Sequence, residues 1–312
     1  MTNPTPALPR HPVSTSQLLE LGFSWSDVRT MVEEGVLRRP LRGVYLTADV
    51  PDTPASRAAC AALVLPPESI VCDASAAWIL GIDVYEQGVV ERGVRLDVVA
   101  IDGRDRARRP ELLGGKRTLA PGDIIELNGV RLTSPLRTVC DIACLRGRRR
   151  ALAALDQFCR SYGLTAEHFA DIMPRYRGRR GCRQLRELAG YADARSESPA
   201  ESWTRLAIID AGLPVPTPQV EVDLEGWGQV RLDLAYLHLK IAIEYDGAEF
   251  HGEDRREHDL ARRAALRRAG WFVLVVRKED LATGTWLGEL RAELRSRRTP
   301  AKRAYSRATS GC

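Results

Sequence analysis

Two acidic residues in the C-terminal third are spaced for phosphodiester chemistry. Val230, Leu232, Leu234 and Tyr236 alternate with other residues, and Ile241, Ile243 and Tyr245 do the same. Alternation with period two marks half-buried strands, and it puts Arg231 with Asp233, and Glu244 with Asp246, on the opposite face. With the intervening turn centred on His238 and Leu239, Asp233 lies across from Glu244. Directly opposed Cβ atoms stand roughly 5 Å apart, and like charges there repel. A hard divalent cation relieves that repulsion. Mg2+ or Mn2+ suits carboxylate oxygens together with a substrate phosphate, and such an ion activates water. Asp233, Glu244 and Asp246 are therefore the expected metal ligands, the alternative being solvated strand residues. His251, in the polar stretch after the second strand, is either a general base or acid or an ordinary loop histidine.

The flanking segments read as the frame for these groups. Ser198-Pro199-Ala200-Glu201 is a capping box with proline at the first helical position, so Glu201 is a cap, a further catalytic acid, or both. Trp203, Leu206 and Ile209 give that helix a core face, and Gly212 with Pro214 ends it. Gln219 to Glu225 reads as a strand, closed by the turn Gly226-Trp227-Gly228. Arg255 to Ala269 reads as a helix on which Arg255, Arg256, Arg262, Arg263 and Arg267 share an arc of about 140°. Arg255, Arg256 and Arg262 are the expected contacts to a DNA backbone. Trp271 to Val276 is wholly apolar, as in a strand covered on both faces.

The order α-β-β-β-α-β with acids on the second and third strands resembles the restriction-endonuclease-like nucleases, and within them the branch related to the very-short-patch-repair (Vsr) endonuclease. The resemblance covers about residues 196–285. It rests on Glu201 with Arg205, Gly212-Leu213-Pro214, Gln219, Arg231-Leu232-Asp233, Glu244-Tyr245-Asp246-Gly247, His251, Asp259-Leu260 and Gly270-Trp271. It implies a metal-dependent endonuclease that nicks DNA, with catalytic Asp233, Glu244, Asp246, His251 and Glu201. Asp246 stands where the wider superfamily carries a lysine; the Vsr-like branch uses histidine chemistry nearby, which implies that role for His251.

The whole chain has 312 residues, 44% hydrophobic and 28% charged, with formal charge +5. That length suits two or three domains of a globular protein. Nearly all basic charge is arginine, which matches phosphate bidentately and makes nucleic acid a plausible partner; a high-GC coding bias is the competing explanation. No apolar run approaches the length of a membrane span, and the first residues, Met1-Thr-Asn-Pro-Thr-Pro6, lack the pattern of a secretory signal, so the expected compartment is the cytoplasm. Seven cysteines without a C-x-x-C pair read as reduced core residues rather than a zinc site.

At the other end, residues 1–12 are proline-rich. Ser14 opens one short helix and Ser24 or Ser26 a second, stopped by Gly22 and Gly35, and Val36 to Leu46 forms a hairpin carrying Arg38, Arg39 and Arg42. Two helices and a basic hairpin form the pattern of a winged helix-turn-helix, which either reads DNA, with these arginines on phosphate, or docks a protein. Through Gly35-Val36-Leu37 and Arg42-Gly43-Val44-Tyr45, residues 12–50 resemble the N-terminal domain of AbiEi-type antitoxins. Thr133 to Asp141 is similar to their middle region. Arg137 and Asp141 there, at helical i, i+4 spacing, read as a surface ion pair worth a few tenths of a kcal/mol.

The expected architecture is a multidomain α/β chain: a winged helix-turn-helix over 12–50, an α+β AbiEi-like region over 51–146 containing a hairpin at Asn128-Gly129, a helical connector over 147–195, a Vsr-like domain over 196–297 and a basic tail over 298–312. Two functions compete. One is a Mg-dependent endonuclease brought to DNA by the N-terminal domain, as a monomer or homodimer. The other is a non-catalytic DNA-binding regulator or antitoxin of a toxin-antitoxin or phage-defence system, with a toxin or defence protein as partner. A protein-binding scaffold is a third. Paired-carboxylate glycosidase chemistry is disfavoured, because opposed strand residues sit closer than the roughly 5–9.5 Å that it uses.

Overall fold

A computed structural model describes residues 8–66, 69–85, 94–100, 111–247 and 253–298, with backbone alone for 253–256. It is a mixed α/β protein, with three sheets among the described residues. The chain divides into two compact units: residues 1–154 with 164–187, and residues 155–163 with 188–312. The segment 147–195, expected as a connector, is therefore shared between both units. No described helix is long and apolar enough to cross a membrane.

The first unit begins with β1 (Val13–Ser14), α1 (Thr15–Glu20), α2 (Trp25–Glu33), β2 (Leu37–Leu41) and β3 (Val44–Thr47). The predicted helix starts are both capping boxes, Ser14 with Gln17 and Ser24 with Asp27. Each satisfies backbone donors that a helix end would leave orphaned. The strands pair in the order β1-β3-β2, and Val13, Leu18, Phe23, Val28, Leu37 and Tyr45 form the small core beneath the helices.

Then follow α3 (Pro54–Ala62), β4 (Ile70–Val71), α4 (Asp73–Ile79), β5 (Leu96–Ala100), β6 (Leu112–Lys116), β7 (Ile124–Leu127), β8 (Val130–Thr133) and α5 (Pro135–Leu145). The five strands form a mixed sheet, β6-β5-β4-β8-β7. Asn128 and Gly129 both take positive φ (49° and 76°), the two-residue hairpin turn that their types predict.

Arg137 and Asp141 are not a surface pair. The Arg137 side chain is 1% exposed and bonds Asp141 at 2.8 Å and Asp123 at 2.9 Å. Arg117 bridges Asp73 and Asp141, Arg175 holds Asp123, and the Tyr176 hydroxyl donates to Asp141. Spacing four apart on a helix makes two side chains neighbours but says nothing of what covers them. Here residues far along the chain do the covering.

Next come α6 (Arg148–Tyr162), α7 (Ala166–Ile172), α8 (Cys182–Ala189) and α9 (Pro199–Asp210). Cys60, Cys72, Cys140 and Cys159 are buried free thiols. Burial pushes Cys60 up to about 11 and Cys159 up to about 12, as suits inert core residues.

The second unit is built on β9 (Thr217–Leu224), β10 (Gly228–Tyr236), β11 (Ile241–Asp246), α10 (Glu253–Arg268), β12 (Phe272–Arg277), α11 (Lys278–Thr283) and α12 (Trp286–Arg298). From α9 onward the order is α-β-β-β-α-β, as expected; α11 has no counterpart in the sequence reading. The sheet runs β12-β11-β10-β9. β11 and β12 are parallel, as a crossover through α10 allows. Helices cover both faces. Ile208, Leu234, Tyr236, Ile241, Ile243, Val276, Leu281 and Leu290 pack together on one side. Val230, Leu232, Ala242, Ala265, Leu266 and Val273 pack on the other.

One detail departs from strict alternation. Val230 and Leu232 pack on the α10 side, whereas Leu234 and Tyr236 pack on the α9 side. The strand therefore changes face at Asp233. Its neighbour across β9 would be Gln219, which adopts φ 51°, and no pair forms there although Leu232↔Val220 and Leu234↔Pro218 do. A left-handed residue breaks the pleat locally, as a bulge does.

Candidate functional site

The kink at Asp233 gathers the acidic residues. Pairs Leu234↔Ile243, Ala235↔Ala242 and Tyr236↔Ile241 establish the register that places Asp233 across from Glu244. The ladder stops before Asp233, whose Oδ2 instead accepts the Tyr245 N–H at 2.9 Å. A side chain thus takes a donor that the adjoining strand would otherwise bond.

Glu201 enters from the first turn of α9. Its Oε1 accepts from Ser198 Oγ at 3.0 Å, and its Oε2 accepts from Glu197 N at 2.9 Å and Gln219 Nε2 at 2.8 Å. Ser198 Oγ caps the helix by accepting from Glu201 N, but the reciprocal bond of the predicted capping box is not made: the Glu201 carboxylate takes the N–H of Glu197 rather than that of Ser198, and through Gln219 it ties the helix to the left-handed residue of β9. Glu244 is 2% exposed. Arg263 Nε donates to its Oε2 at 3.0 Å, and Arg262 Nη1 stands 2.9 Å from its Oε1. Arg263 Nη1 reaches on to Asp246 Oδ2 at 3.2 Å. Arg262, expected on DNA, is thus turned toward the sheet and also approaches the Arg231 carbonyl. Arg263, assigned no role from the sequence, completes the clamp; its place beside Ala264 and Ala265 on the sheet-facing side of α10 was the available signal. Arg231 itself is exposed and pairs with Glu197.

Burial pushes the Asp233 carboxyl up to about 7; the charges of Glu201 and Glu244 act in the same direction, against the Tyr245 N–H. The folded protein therefore holds this proton where the unfolded chain releases it. Stability falls as pH rises from about 4 to about 7, by on the order of 4 kcal/mol from this group. Asp233→Asn keeps the acceptor and removes the charge. Urea melts at pH 5 and pH 8 are expected to show a smaller loss for Asp233→Asn than for the wild type; parallel losses would contradict it.

The fit of a divalent ion follows from these contacts. Both oxygens of Glu244 already face guanidinium groups, Asp246 shares one of them, and Glu201 is saturated by donors. Among the described residues no three His, Cys, Asp or Glu side chains converge as a metal's ligand shell does. The arrangement does not fit resident Mg2+ or Mn2+. His251 lies outside the described residues, as do the side chains of Arg255 and Arg256.

In the N-terminal module, Arg38 is engaged by Asp52 and the Val50 carbonyl, Arg39 is half-buried, and Arg42 is exposed at the β2–β3 turn. The three arginines thus differ in their freedom to meet a phosphate, a distinction their types do not carry.

Comparison with known proteins places the family signal elsewhere in the chain. The family described as AbiEi antitoxin C-terminal domain matches residues 69–191. The match spans β4 to α8 and includes the buried Asp123–Arg137–Asp141 network and most of the segment expected as a mere connector. Two Mycobacterium tuberculosis proteins, "Uncharacterized protein MT2308" and "Uncharacterized protein Rv2248", are each 30% identical to the chain over 254 residues, covering 80% of this chain and 89% of theirs.

Proposed function

Because the chain belongs to the family of these two Mycobacterium tuberculosis proteins and matches the AbiEi antitoxin C-terminal domain over residues 69–191, we propose that it is a DNA-binding regulator of the antitoxin type. The family match is the observation that carries this reading. The helix pair and hairpin that precede it support a winged helix-turn-helix, in which α2 lies toward the groove and the β2–β3 turn lies along the backbone. Arg42, exposed at that turn, is the phosphate contact; Arg38 and Arg39 brace the hairpin. The protein partner is a toxin, recognised by the matched region.

Under this reading the C-terminal α-β-β-β-α-β unit retains a nuclease-like order without hydrolysing DNA. Its support is the guanidinium clamp on Glu244 and Asp246, which occupies the acids that would hold a catalytic ion. The chain then contacts DNA mainly through phosphates, so binding depends steeply on salt.

A mobility-shift titration on the chain's own promoter fragment tests this. The wild type is expected to shift the fragment, and Arg42→Ala to weaken binding about tenfold and lower the log–log salt slope by about 1. Supercoiled plasmid is expected to remain supercoiled with Mg2+ or Mn2+. No shift of the promoter would overturn the regulator, and nicking that is lost in Asp233→Ala would replace it with the endonuclease.

A further inference from the structure

Glu244 is the most deeply buried carboxylate of the C-terminal unit's acidic cluster. A buried carboxylate must be compensated by a cation or a proton, whereas an exposed pair contributes little. The compensation comes from consecutive residues of one helix. The Arg262 and Arg263 side chains are 19% and 12% exposed, and between them they face both oxygens of Glu244 and one of Asp246. Together they carry the charge of one divalent ion.

The compensation is complete in charge but not in hydrogen bonds. Glu244 Oε1 is buried and has no hydrogen bond among the described residues, although Arg262 Nη1 is 2.9 Å away. That oxygen is held by electrostatic attraction without an N–H aimed at it. It is the atom most readily surrendered to a compact cation, which needs no directed donor.

We infer that Arg262 and Arg263 are the built-in counter-cation of Glu244 and Asp246, supplying the charge that a divalent ion would otherwise supply, and that removing their charge lets this carboxylate pair, completed by waters, take up such an ion. The two forms are mutually exclusive. Guanidinium nitrogens sit near 2.9 Å from carboxylate oxygens, whereas Mg2+ binds at roughly 2.1 Å and Mn2+ similarly, with waters filling the remaining positions. Loss of both guanidinium groups leaves Glu244 and Asp246 uncompensated and opens the volume between α10 and β11 that the forks occupy. The inference stands apart from DNA binding by the N-terminal module, and its test reads a different quantity.

Mn2+ titration of the full chain, followed by electron paramagnetic resonance of the free ion, tests it. The wild type is expected to leave the signal of free Mn2+ unchanged up to about 1 mM, a weak-site concentration. Arg262→Ala/Arg263→Ala is expected to take up about one ion per chain at least tenfold more tightly, as a compact carboxylate set does. Arg262→Gln/Arg263→Gln keeps most of the side-chain volume and is the variant to use if the alanine pair fails to fold. Adding Glu244→Gln to either pair should abolish uptake. Stoichiometric, Glu244-dependent Mn2+ binding by the wild type would overturn the inference, as would a folded glutamine pair that binds none.

Discussion

Asp156→Ala is expected to cost about 3–5 kcal/mol, enough to unfold the second unit under mild conditions, because it strands a buried arginine. Asp156 on α6 is fully buried and Arg205 on α9 is 1% exposed. Arg205 Nη2 donates to both Asp156 oxygens at 2.8 and 2.6 Å, Ser202 Oγ donates at 2.7 Å, and the Asp193 N–H at 2.8 Å. Burial pushes the Asp156 carboxyl up while Arg205 and Ser202 pull it down, so the charged form depends on keeping its partners. Arg205→Ala should be equally severe for the converse reason. The pair itself is a different matter. Asp156→Leu/Arg205→Met replaces both charges with apolar volume and is expected to recover most of the loss, since well-packed hydrophobes often match a buried ion pair. Trp203, Trp227, Trp271 and Trp286 lie in this unit, so urea unfolding followed by tryptophan fluorescence reports on it. Single losses below about 1 kcal/mol, or losses that simply add in the double variant, would show the pair to be uncoupled.

Gly181→Ala should be the most damaging small substitution in the first unit. Gly181 has φ 79°, and a Cβ there would lie 2.0 Å from the Cys144 carbonyl oxygen and 2.7 Å from its carbon. Backbone atoms cannot swing aside as a side-chain tip does. The close approach lets the start of α8 meet the end of α5, where Gln184 Nε2 donates to the carbonyls of Ala143 and Arg146. Left-handed strain costs about 1–2 kcal/mol, and overpacking adds about 1–3 kcal/mol. Gly178 supplies the control: its φ is 75°, but nothing lies within 4 Å of its would-be Cβ. Gly178→Ala should show only the strain. Thermal melts of the two variants therefore separate conformation from contact, and equal shifts would rule out the contact.

What could be read in advance depended on range. Ser14, Ser24 and Ser198 act on donors within three residues, so their caps were visible in the chain order. The Asn128-Gly129 turn is equally local, and the β10–β11 register followed from alternation across a short turn. The face change at Asp233 was hidden, because it requires Gln219 to turn left-handed and Glu201 to receive its amide. Helical period placed Arg262 and Arg263 on one arc but did not say whether that arc met solvent or Glu244. The burial of Arg137 and Asp141 depends on Arg117 and Tyr176, which lie 24 and 35 residues from Asp141. Alternation finds surfaces; it does not find what will cover them.

The interleaving of the two units has a consequence for synthesis. The chain passes between them after residues 154, 163 and 187, so residues 155–163 belong with segments made later. As the protein leaves the ribosome, Asp156 must wait for Arg205, 49 residues behind it. At about 5–20 residues per second, that is an interval of roughly 2–10 s. Through that interval the second half of α6 exposes Leu155 and Phe158, both fully buried in the finished protein. The same interleaving defeats dissection: a fragment beginning near Ala194 would carry every strand of the four-stranded sheet yet lack the carboxylate that Arg205 needs. The nascent chain is thus most open to chaperones and proteases midway through its own translation.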